Sequence, residues 1–151
     1  MFSRSQLAQF DIILERVKPD LKNLSFCKQV SCAEYEQEYY TYRRRVKYKD
    51  FIYFDIGFGH NEDKSRAWYY ITFLLYKPKS SAITAEQIAA LLAHYNFNDR
   101  ASKNYRVVAV ENFTHWTPEK VIDTKEITNW FKSKLQEVKD KEDKIYQILN
   151  F

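Results

Sequence analysis

The chain contains two glycines, Gly57 and Gly59, in 151 residues, where an average composition of about 7% would supply roughly ten. Glycine-rich phosphate loops bring backbone against a ligand with no Cβ in the way, so neither the dinucleotide fingerprint nor the P-loop can be written with these two. No serine is flanked as G-x-S-x-G, which removes the strained turn of the α/β-hydrolases. Cysteine is as scarce: Cys27 and Cys32 stand in C-x4-C spacing with no other cysteine in the chain. A four-ligand zinc site would have to recruit unrelated segments, and two reduced thiols are the expectation. No cofactor and no metal are implied.

Long apolar runs are also missing. Between Met1 and Pro19 nothing exceeds Ile12, Ile13 and Leu14, too short for the apolar region of a signal peptide. The longest stretches, Ile88 to Ala93 and Trp68 to Tyr76, cannot cross about 30 Å of hydrocarbon as helices. These features lead to the expectation of a soluble cytoplasmic protein with no membrane partner.

What the chain does hold is rings. Twelve Tyr, eleven Phe and three Trp make 17% of the residues, within 45% hydrophobic and 29% charged, which excludes global disorder and coiled coil. The length suits a body of about 15 Å radius of gyration that buries roughly two thirds of its unfolded surface. One domain, residues 1–151, is expected, since no linker, repeat or low-complexity tract interrupts it.

Leu7, Phe10, Leu14 and Val17 recur at helical spacing, with Ser5 as the predicted N-cap and Pro19 near the stop. Leu24, Phe26, Lys28 and Val30 alternate as a short strand would. Positions 40, 42, 46, 48, 52, 54, 56 and 58 are all apolar or aromatic, interrupted on that parity by Arg44 and Asp50, and this phase predicts one long bent strand, with a tight turn at Tyr48 to Asp50 as the alternative. Gly57 to Arg66 reads as a polar connection. Ala67 to Lys77, apolar on both parities, reads as a central strand. Thr84 and Gln87 form a capping box ahead of Ile88, Leu91, Leu92 and Tyr95. Tyr105 to Phe113 reads as a strand, Thr117 to Glu119 as a short turn of helix, and Thr124 to about Leu149 as a long amphipathic helix that fits less tightly over Asp140 to Lys144. The expected fold is α+β, a central mixed sheet of four or five strands flanked by helices in the order α-β-β-β-α-β-α.

Helix, three strands, helix, strand is the element order of restriction-endonuclease-like cores, which the chain resembles in topology. That resemblance implies a divalent metal held by an acid on one strand and an E-x-K pair on the next. Asp55 stands where the first acid belongs, but Trp68 to Lys77 contains no carboxylate, so the resemblance implies at most an inactive relative. His60, His94 and His115 lie in separate segments, and the one H-x-T motif, His115 to Thr117, lacks the second copy that a two-histidine phosphodiesterase needs. An enzyme using Asp55, His60 and Glu111 requires all three to converge in one pocket.

The net charge of +4 is concentrated in one place. Residues 38–49 hold Arg43, Arg44, Arg45, Lys47 and Lys49 against Glu38, while 19 basic and 19 acidic residues balance elsewhere. If the even positions face the core, Arg43, Arg45, Lys47 and Lys49 project together at intervals of about 6.6 Å, and Tyr39 and Thr41 extend the row. Like charges in a row repel unless neighbours neutralise them, and Glu34, Glu36 and Glu38 are placed to do so if the chain folds back. The first expectation is a non-enzymatic interaction protein, of the inhibitor or immunity type, that binds an acidic partner protein through Tyr39, Arg43, Arg45, Lys47 and Lys49. The alternative is nucleic-acid binding by the same residues, for which four phosphate contacts to a single strand give a log-log salt slope of about −3. A cationic row whose only task is to discourage edge pairing competes with both.

Overall fold

The computed structural model describes residues 2–24, 31–38, 40–49, 52–76, 84, 86–87, 90, 99–101, 106–118 and 123–149. Its elements run α1 (Arg4–Lys22), β1 (Ser31–Glu38), β2 (Thr41–Lys49), β3 (Ile52–His60), β4 (Arg66–Tyr76), β5 (Asp99–Ala101), β6 (Arg106–Pro118), α2 (Thr124–Asp140) and α3 (Glu142–Leu149). The strands form one sheet in the order β1-β2-β3-β4-β6-β5. The α+β expectation holds; the described residues form six strands rather than four or five, and every pairing among them is antiparallel rather than mixed. No helix among the described residues is long and apolar enough to cross a membrane.

Helix α1 starts two residues earlier than expected. Ser3 Oγ accepts from Gln6 N–H at 3.2 Å and Gln6 Oε1 accepts from Ser3 N–H at 2.8 Å, a reciprocal box that Ser5 cannot make because the residue three further on is Ala8. Pro19 lies inside the helix, which continues to Lys22. Both Pro19 and Glu15, whose carbonyl loses its intrahelical donor there, are on the exposed side of the helix, where that carbonyl is open to solvent. The strand expected at Asn23 to Ser31 falls mostly on residues outside the described set; within it, Asn23 is the C-cap of α1 and Leu24 is buried.

The long bent strand is instead a hairpin. β2 pairs antiparallel with β3, Tyr42 facing Phe58, Arg44 facing Ile56 and Val46 facing Phe54. Facing residues lie on the same side of a sheet. In this register they also share parity, so the apolar phase passes unchanged from one strand to the next and mimics a continuous strand. Two strands thus replace the one expected, so four rather than three follow α1; of the turn expected at Tyr48 to Asp50, Tyr48 and Lys49 belong to β2 and Asp50 lies outside the described residues. Gly57 and Gly59, expected in a polar connection, belong to β3. The connection proper is the turn Asn61 to Ser65, in which Asn61 Oδ1 accepts from Arg66 N–H at 2.9 Å and Lys64 adopts φ 57°. β6 runs on through His115, Trp116 and Thr117 to Pro118, so the helical turn expected at Thr117 is strand. Thr84 and Gln87 do form their box, at 2.9 and 3.1 Å; the apolar positions after it lie outside the described residues.

Helices α1 and α2 lie together on one face of the sheet. Phe10, Ile13, Leu14, Val17 and Leu21 of α1 and Ile127, Phe131, Leu135 and Val138 of α2 are buried against Tyr42, Phe54, Ile56, Phe58, Tyr69, Ile71 and Phe73. Phe10 meets Phe58 with ring centroids 5.0 Å apart, and Phe131 meets Tyr69 edge-on at 6.4 Å. Each ring so buried contributes about 1.5–3 kcal/mol relative to exposure. The final helix breaks at Lys141, within the stretch expected to fit less tightly, and restarts so that Ile145 joins the core while Glu142, 3% exposed, is held by Lys139 at 2.5 Å.

Candidate functional site

The face of the sheet opposite α1 and α2 carries the other parity. Its rows follow from the register: Thr41, Gly59, Trp68 and Trp116 in one; Arg43, Gly57, Tyr70 and Thr114 in the next; Arg45, Asp55, Thr72 and Asn112 in the third. Burial changes along the face. Trp116 and Thr114 are exposed, Trp68, Tyr70, Asn112, Arg43 and Arg45 half-buried, and Asp55 and Thr72 buried.

The two glycines make room for rings on this face. A Cβ on Gly59 would meet the Cε2 of the Trp68 indole at 2.6 Å, and one on Gly57 would meet the Tyr70 ring and hydroxyl at 2.6 Å. The cross-strand rings therefore lie down over the glycines, and both strand glycines serve as ring seats. The indole of Trp68 then stands 5.0 Å from that of Trp116, tilted 45°. Above Trp116 sits the Arg66 guanidinium, 4.9 Å from the ring centroid. Trp116 keeps 48% of its surface exposed.

Arg43 and Arg45 point to this same face, as their phase predicts, but they do not lack a counter-ion. Asp55, cross-strand from Arg45, accepts from Arg45 Nε at 2.7 Å and from its terminal nitrogen at 3.0 Å, and lies 3.6 Å from Arg43. A carboxylate that is 4% exposed is tolerable only with such charge-assisted donors around it. Folding also brings β1 alongside, with Glu36 opposite Arg43 and Glu38 opposite Thr41. Five cations on β2 against three glutamates on β1 and Asp55 on β3 leave these strands at +1, so the row is far less bare than its own segment implies. Lys47 and Lys49 face Tyr53 and Ile52 in register, with side chains outside the described residues, as is the whole of Tyr39.

The acid–base set considered from sequence does not assemble. Asp55 faces away from the helices, whereas His60 is buried on the helix side, its Nδ1 2.8 Å from the Asn61 carbonyl and its ring edge-on to Phe2 and Tyr40. Glu111 pairs in register with Phe73; its side chain and all of His94 lie outside the described residues. His115 sits between β6 and α2, 4.0 Å from Glu126 and stacked obliquely on Trp130 at 5.4 Å. Asp55, where the endonuclease resemblance would set a metal ligand, is held by two arginines, and no group of three His, Cys, Asp or Glu among the described residues is placed to hold a metal.

Sequence reasoning missed Arg66, Trp68, Tyr70 and Trp116. A signal was present: in β4 the even positions are Arg66, Trp68, Tyr70 and Thr72, all with polar atoms, against Ala67, Tyr69, Ile71 and Phe73, an alternation hidden by treating Trp and Tyr as plainly apolar. Compared with known proteins, the chain matches no family model, no curated protein and no solved structure.

Proposed function

We propose that the chain is a non-enzymatic binding protein that engages an acidic partner protein through the sheet face carrying Arg43, Arg45, Arg66, Trp68, Tyr70 and Trp116. The observation that carries this reading is the exposed Trp116, backed by Trp68 and capped by Arg66 on the face away from both helices. Exposed Trp, Tyr and Arg on a rigid support are the residue types that dominate protein interfaces. Charge supports an acidic partner at Arg66, with which no carboxylate pairs among the described residues, whereas Asp55 and, in register, Glu36 and Glu38 share the face with Arg43 and Arg45. The same indole pair suits stacking by single-stranded nucleic acid; a net charge of +4 is modest for a chain that binds phosphates, which favours protein.

The test is capture from source lysate, with and without nuclease, using the native chain, Trp116→Ala and Arg66→Glu. These two residues touch no buried carboxylate, whereas reversing Arg43 or Arg45 would set a glutamate against Asp55 and unfold the site. A nuclease-resistant protein retained by the native chain and lost by both variants supports the proposal. Capture that both variants leave unchanged removes it, and a nuclease-sensitive ligand transfers the face to the nucleic-acid reading.

A further inference from the structure

Arg66 differs from the other arginines of the face. Arg43 and Arg45 are bound into the Asp55 cluster, whereas Arg66 is exposed, lies over the Trp116 ring, and no carboxylate pairs with it among the described residues. Its backbone is fixed, since its N–H donates to Asn61 Oδ1 at 2.9 Å and its carbonyl accepts from Asn61 N–H at 3.1 Å. A guanidinium stacked on an indole uses its face for the ring and keeps its in-plane N–H groups pointing outward. The ring contact and the fixed backbone restrict the side chain, so less rotamer freedom remains to be lost when a ligand arrives.

Resting on the binding reading given above, we infer that Arg66, placed over the Trp116 ring, is the recognition point for an Asp or Glu side chain of a partner segment, taken by two parallel N–H···O bonds. The exposed part of the Trp116 ring receives the apolar group next to that carboxylate. The occupant is thus an acidic peptide segment with a neighbouring apolar residue, matched to the excess of arginine on the face.

The test selects a displayed library of random short peptides against the folded chain and measures the enriched pool on variants. Arg66→Gln and Arg66→Lys are both exposed changes, and circular dichroism establishes that each remains folded; Arg16→Gln, on the exposed side of α1, is the control. The expected pool is rich in Asp and Glu beside apolar residues, binds the control like the native chain, and loses about tenfold or more on both Arg66 variants, because a charge-assisted bidentate contact contributes about that much. Native-like binding by Arg66→Lys overturns the inference, since charge without the planar fork would then suffice. An acidic pool that depends on Arg43 and Arg45 but not on Arg66 overturns it while leaving the binding face in place. A pool indifferent to Trp116 and to all three arginines overturns both. No enrichment, or capture of an oligothymidylate instead, also overturns the inference.

Discussion

Replacing Gly59 by Ala has two opposed physical consequences, and their balance tests the account of this face. Neither glycine has positive φ, so Ala is conformationally acceptable, and reduced freedom of the unfolded chain by itself predicts a gain of about 0.4–1 kcal/mol. Against that, the new Cβ meets the Tyr40 carbonyl at 2.5 Å and Trp68 Cε2 at 2.6 Å. The indole can swing outward, but the Tyr40 carbonyl is tied down by accepting from His60 N–H at 3.0 Å. Overpacking of this kind costs about 1–3 kcal/mol, leaving a net loss of about 1–2 kcal/mol. For a chain of this size that lowers Tm by about 3–6 °C. Urea unfolding followed by far-ultraviolet circular dichroism is the assay, with Trp68→Ala and the double variant completing a cycle. The double variant should be more stable than the sum of the single losses by about 0.5 kcal/mol or more, with the carbonyl contact left unrelieved. A stabilised Gly59→Ala, or a cycle that shows no coupling, would refute the picture of a ring seated on glycine.

Asp55→Ala removes the carboxylate shared by Arg45 and Arg43 and should lower stability by roughly 3 kcal/mol, more than Arg45→Gln, as read from urea midpoints. Ser3→Ala breaks the reciprocal box at the start of α1 and should cost about 1 kcal/mol in the same assay. Burial pushes the Tyr69 hydroxyl up to about 12, so the folded state holds its proton where the unfolded chain has lost it. The contribution is whole below about pH 10 and is lost as pH rises from there toward 12, reaching about 2–3 kcal/mol in all. Tyr69→Phe should therefore flatten the alkaline fall in stability between about pH 10 and pH 12, and an unchanged slope would contradict the burial of that hydroxyl.

The absence of phosphate loops, the amphipathic stripes of α1 and α2, the capping box at Thr84 and the outward phase of Arg43 and Arg45 were all legible in the order of residues, because each depends on neighbours a few positions apart. Helix starts were legible to within a turn; the choice of Ser3 over Ser5 needed attention to the side chain three residues on. Parity along residues 40–58 was readable, but not whether it belonged to one strand or two, since an antiparallel register of facing same-parity residues preserves the phase through a reversal. The seating of Trp68 and Tyr70 on Gly59 and Gly57, the capture of Arg43 and Arg45 by Asp55, and the meeting of Trp68 with Trp116 from 48 positions away were decided only by the tertiary structure. Each is a cross-strand neighbourhood fixed by register, and register is set by the packing of the whole sheet against its helices rather than by any local pattern.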